Sequence, residues 1–148
     1  MIIAVDFDGT IVEHAYPKIG RPIPFAIETL RMLHNDGHRL LLWTVREGQL
    51  LQEAIDYCEQ NGIYFFAANA NYPEENREAS PRKLKADLFI DDRNLGGLPD
   101  WGIIYGAVQA TVRGECSFEA FISNTPVPAK KEKKGFMGWL KLRNLFIF

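Results

Sequence analysis

Two hydrophobic rhythms alternate along this chain. Residues 2–5 are an unbroken apolar run, IIAV, the pattern of a short strand buried on both faces of a parallel sheet. Turn formers and prolines fill GTIVEHAYPKIGRPIP, which predicts a turn and a small flap rather than a domain. Over 24–37, Ala26, Ile27, Leu30 and Leu33 recur at helical spacing, and Gly37 supplies a stop. HRLLLWT predicts a second buried strand ending at Thr44, and EGQLLQEAIDYCEQNG a second amphipathic helix with Leu51, Ala54, Ile55 and Cys58 inward. IYFFAAN is read as a third strand, the polar stretch 70–83 as a loop, and ADLFI as a fourth strand running into Asp91-Asp92. WGIIYGAVQATVRG fits a helix, with strand as the alternative because of its β-branched content, and 117–124 fits one or two helical turns.

Strands alternating with helices predict an α/β fold with a central parallel sheet and right-handed crossovers. In such sheets ligands collect beyond the carboxyl ends of the strands. Those ends carry chemistry here. Asp6 and Asp8 follow the first strand, Thr44 ends the second, and Asp91 and Asp92 follow the fourth.

Composition narrows the picture. The 148 residues suffice for one domain with a real core and no disulfide framework. Residues 1–125 are read as that domain, 126–135 as a linker and 136–148 as a basic, aromatic tail. The net charge of −2 conceals an asymmetry: six basic side chains against Glu132 make residues 130–148 +5, leaving −7 on the first 129. An acidic body argues against nucleic acid on the main domain. No signal peptide or membrane-spanning run is expected, and Cys58 and Cys116 lack any metal-type spacing, so a reducing cytoplasm is the expected location. Cys58 shares a helical phase with Leu51 and Ile55 and reads as core. The tail would dock on its own domain, on a second copy, or on a membrane surface.

Four carboxylates at one sheet edge repel one another and resist desolvation, so something cationic or a shared proton must compensate. Oxygen-only donors without His or Cys favour Mg²⁺ over zinc, and Mg²⁺ commonly shares its coordination with phosphate. Thr44 offers a hydroxyl to a phosphate oxygen, and SPRKLK offers a lysine before the fourth strand.

The segments IIAVDFDGT, LLLWT, SPRK and LFIDD, in that order and strand context, resemble the haloacid-dehalogenase-like (HAD) phosphohydrolases over roughly residues 1–112. The resemblance implies a three-layer α/β/α sandwich of Rossmann-like topology. With only short segments at 11–24 and 68–85, it implies a member without a cap domain. Asp6 would be the nucleophile, forming an aspartyl-phosphate, and Asp8 the general acid and then base. Mg²⁺ would be held by the side chains of Asp6 and Asp91 and by the backbone carbonyl of Asp8, with Asp92 acting through water. Thr44 and Lys83 would bind the phosphate. Lys85 is the alternative, disfavoured because it adjoins the strand. The substrate would be a small phosphate ester or a phosphorylated macromolecule.

Two other functions use the same residues. A catalytically silent phosphate-binding or scaffold protein would not need the acid/base at Asp8. A receiver-like phospho-acceptor module would place its acidic pair first in the chain, whereas here the DxD segment leads. Among the remaining polar residues, His14 would either touch substrate from the flap or lie exposed there, the second being the expectation, and His34 and His38 are expected at the surface. Arg46 would either reach substrate from its loop or lie exposed, and Arg93 would either orient the acidic pair or stand on the surface. Trp43 and Trp101 are expected to pack.

Overall fold

A computed structural model, which describes residues 1–124, places β1 (Ile2–Val5) inside a parallel sheet of order β3-β2-β1-β4, with β2 at Arg39–Leu42, β3 at Ala67–Ala68 and β4 at Leu88–Ile90. Between them run α1 (Ala26–Asn35) and α2 (Gly48–Gln60), and after β4 come α3 (Trp101–Val112) and α4 (Phe118–Asn124). The linker and tail expected over 126–148 lie outside the described residues.

The strand order explains which face each connection covers. From β1 to β2 and from β2 to β3 the chain steps the same way across the sheet, so right-handed crossovers put α1 and α2 on one face. Ile3, Val5, Leu40 and Leu42 indeed share a cluster with Ala26, Leu30, Leu33, Ala54 and Cys58, joined by Trp101, Ile104 and Val108 of α3. The return from β3 to β4 steps the other way and must cross the opposite face. Ala4, Leu41 and Ala67 are covered there by Ala70 and Leu84, with Ala86 and Phe89 alongside. This connection is irregular. Its Asn-, Glu- and Pro-rich sequence has no apolar repeat with which to build a helix.

Helices stop where the sequence predicts. The N–H of His38 reaches the carbonyl of Leu33 and that of Gly37 reaches His34, with Gly37 at φ 82°, a conformation that a Cβ would oppose. Gly62 and Ile63 repeat the same pair of bonds at the end of α2. The segment read over 101–114 is helical at Trp101–Val112, and Asp100 caps it by accepting the N–H of Gly102.

Two expectations need correction. The strand read over 63–69 shrinks to Ala67–Ala68, because the N–H of Ile63 is spent on the carbonyl of Cys58 in closing α2. Only the N–H groups of Phe66 and Asn69 extend the pairing, to Leu40 and Leu42. His38 is buried, since it follows the α1 stop directly and enters β2. Cys58 is core as expected, its thiol pushed up to about 12 by burial, which leaves it unreactive at neutral pH.

Candidate active site

Register brings the strand ends level. Val5 pairs with Leu42 and Ile90, and Leu42 with Ala68, so the next residues on β1, β4 and β3 are Asp6, Asp91 and Asn69 along one edge. A cleft of about 600 Å³ opens over this edge, lined by Asp6, Asp8, Trp43, Thr44, Asn69 and Asp91 among others. The convergence of Asp6, Thr44 and Asp91 is therefore present.

Carboxylate oxygens of Asp6, Asp91 and Asp92 lie within 4.8 Å of one another. Burial, with Asp91 and Asp92 adding repulsion, raises the Asp6 carboxyl from 3.8 to about 6, against the lowering effect of hydrogen bonds from the Phe7 backbone and the Thr10 hydroxyl. Asp92 Oδ1 is buried with no hydrogen-bond partner among the described residues. Crowded carboxylates, one holding its proton unusually hard and one with an orphaned oxygen, suit a hard cation with oxygen ligands. Asp92 thus stands in the cluster itself, where the resemblance gave it a role through water, because the turn after β4 directs both acidic residues toward Asp6.

Thr10 ties the two sides together. Its hydroxyl donates to Asp6 Oδ2 at 3.1 Å and accepts the N–H of Asp92 at 3.0 Å, while its carbonyl accepts the indole N–H of the fully buried Trp101. Gly9, at φ 96°, lies beneath the pair that His14 Nε2 and Asp92 Oδ2 make at 2.9 Å. A Cβ there would overlap the His14 ring and stand 2.7 Å from Asp92 Oδ2, so glycine is required by both backbone and space. His14 is exposed as expected, but it reaches the acidic cluster from the flap.

Asp8 departs from the cluster. Both its oxygens accept from Arg46, Nε at 2.6 Å and Nη2 at 2.7 Å. Arg46 is neither a substrate-reaching loop residue nor a surface one: its side chain is 0% exposed. Its guanidinium also donates to the carbonyls of Pro17 and Lys18 in the flap, and the bonds to Asp8 raise its pKa further above the ordinary range. The sequence offered a signal for this in an arginine two residues beyond a strand end, close to a DxD segment, but contact order alone does not show which carboxylate it meets.

Thr44 keeps its hydroxyl hydrogen for the cleft, since Oγ1 accepts the N–H of Arg46 while the Thr44 N–H bonds Asn69 Oδ1. Asn69, at φ 50°, also donates to the carbonyl of Arg46 and so clamps the turn after β2. Sequence reading passed over Asn69, although it ends β3 on the same rule that marks the other strand ends. Lys83 does not line the cleft; its ammonium sits 5.7 Å from the Phe89 ring centroid, and the Lys85 N–H is held by Asn71. The cleft's cations are Arg77, Arg82 and Arg93, none of which forms a salt bridge among the described residues. Lys83 is displaced because Leu84 anchors the segment in the second core, leaving its neighbour on the sheet side of the loop.

A metal-free Asp6 carboxyl with a raised pKa favours folding most below 3.8, and that contribution is lost as the pH climbs through about 6. Mg²⁺ is therefore expected to raise the melting temperature at pH 8 and to do little at pH 5, where protons compete for the same oxygens. Thermal melts at both pH values with and without millimolar Mg²⁺ check this; equal shifts at the two pH values would count against an Asp6-centred site.

No protein-family model matches this chain, and no curated protein matches it. A solved structure of a conserved protein from Bacteroides thetaiotaomicron is 59% identical, over 84% of this chain and 98% of its own, with a TM-score of 0.73. Identity at that level across nearly the whole of the other chain implies a shared fold, and this chain accordingly belongs to the same family as that conserved Bacteroides thetaiotaomicron protein.

Proposed function

We propose that this protein is a Mg²⁺-dependent phosphomonoester hydrolase of the HAD-like type, acting through an aspartyl-phosphate on Asp6. The observation that carries the reading is the meeting of Asp6, Thr44 and Asp91 in one cleft, with Asp92 beside them. In this reading the architecture is a three-layer sandwich whose second outer layer is the segment 70–86, and the short flap stands where a cap would be.

Asp6, Asp91 and Asp92 would hold Mg²⁺, which would supply charge neutralisation between the anionic nucleophile and the anionic ester. Asp6 attacks phosphorus in line, held by the Thr10 hydroxyl on the oxygen opposite. Thr44 donates its hydroxyl to a phosphate oxygen. Positive charge assigned by resemblance to Lys83 comes instead from Arg82, Arg93 or Arg77, which face the cleft. Asp8 gives a proton to the leaving oxygen and takes one from the water that cleaves the aspartyl-phosphate. The cleft is large enough for a small ester, and its open mouth also admits a phosphorylated loop of a macromolecule.

The engagement of both Asp8 oxygens by Arg46 favours a second reading, a phosphate-binding protein without turnover. A panel of sugar, nucleotide and peptide phosphates, assayed for phosphate release with Mg²⁺ and with EDTA, separates the two. Release that EDTA abolishes is the expected result. Phosphate binding in Mg²⁺ with no release from any ester would establish the silent alternative.

A further inference from the structure

We propose that Arg46 is a positioning residue for Asp8 and that it transmits the position of the flap to that carboxylate; this rests on the hydrolase reading above. Three parts of the site meet on this one side chain. Its Nε and Nη2 hold Asp8, its Nη1 holds the Pro17 carbonyl at 2.9 Å, and Nη2 also holds the Lys18 carbonyl at 2.8 Å. Four of the five guanidinium N–H groups are thereby committed. The guanidinium carbon stands 5.0 Å from the Phe7 ring centroid and 5.4 Å from that of Tyr16, so aromatic groups from the DxD loop and the flap flank it. Its own backbone is fixed by Thr44 and Asn69, which makes the guanidinium a rigid reference point beside the phosphate site.

Burial of such a pair is a poor route to stability alone, because well-packed apolar residues serve as well or better. Its geometry suits the proton cycle. As the bond from Asp6 to phosphorus forms and the ester P–O bond breaks, the Asp8 proton passes to the leaving oxygen, and Asp8 becomes the carboxylate that Arg46 binds. In the second half, Asp8 takes a proton from water while the water oxygen bonds phosphorus and the Asp6–phosphorus linkage breaks. Arg46 therefore fixes the position of Asp8 through both of its oxygens while those transfers take place. The same guanidinium grips the flap through two carbonyls, so a shift of the flap would change what remains to hold Asp8.

The test is leaving-group dependence in the full chain. Arg46→Lys, which keeps the charge but not the fork, is compared with wild type on an alkyl phosphate, which needs a proton donor, and on 2,4-dinitrophenyl phosphate, which does not. The expected result is a fall of about 10²-fold in kcat on the alkyl ester and under about threefold on the dinitrophenyl ester. Tyr16→Ala, at an exposed position and independent of core folding, should show the same bias at smaller amplitude. Equal loss on both esters in Arg46→Lys would reduce Arg46 to a structural residue and overturn the proposal. Equal loss on both in Tyr16→Ala would overturn its flap component. An inactive wild type would instead overturn the hydrolase reading, and the Arg46 role with it.

Discussion

Asp6→Asn is expected to reduce phosphate release by at least about 10³-fold while leaving the protein folded, because an amide cannot form the acyl-phosphate. The fold should tolerate it well. Asn is nearly isosteric, its carbonyl oxygen still accepts the Thr10 hydroxyl, and one of three crowded carboxylates disappears. Above pH 6, where the Asp6 carboxyl is ionised in metal-free wild type, the variant should melt no lower than wild type and should lose most of the Mg²⁺-dependent gain. Phosphate release and a thermal melt on the same preparation check both halves. Turnover above a tenth of wild type would rule out Asp6 as nucleophile.

Arg46→Met is expected to cause the largest loss of stability of any single change at the site, about 3–5 kcal/mol. It strands a mostly buried Asp8 carboxylate and leaves the Pro17 and Lys18 carbonyls without their donor. For a domain of this size that is a fall of about 10–20 °C in melting temperature. Adding Asp8→Leu should restore much of it, since the stranded charge is then gone. Denaturant melts of wild type, both single variants and the double variant measure the coupling directly. A single variant within about 1 kcal/mol of wild type would mean that Asp8 finds solvent or another partner, contrary to its burial.

The strand ends were readable because period and polarity coincide there: an apolar run that stops on a carboxylate or a hydroxyl has few structural reasons to do so. Asp6, Thr44 and Asp91 follow from that rule, and the cleft contains all three. Gly37 and Gly62 were equally legible as helix stops, since their bonds are local. Less legible were contacts spanning the chain. His14 reaches Asp92 across 78 positions, and Arg46 reaches Asp8 across 38, and neither distance leaves a periodic trace. That Lys83 stands outside the cleft was illegible for the same reason. Its position depends on how Leu84 seats in a core on the far face of the sheet, which no local pattern of the SPRKLK segment encodes.

Local sequence thus determined the parallel α/β architecture, the helix stops and the residues delivered to the sheet edge, because strand burial, helix periodicity and capping act over a few residues. Tertiary structure decided how those residues divide their work. It put Asp92 with Asp6 and Asp91, turned Asp8 to Arg46, and gave the cleft arginines rather than Lys83. Each of these is a choice between oppositely charged partners far apart in sequence, and only the packing of the flap, the turn after β2 and the segment 70–86 brings the partners within reach.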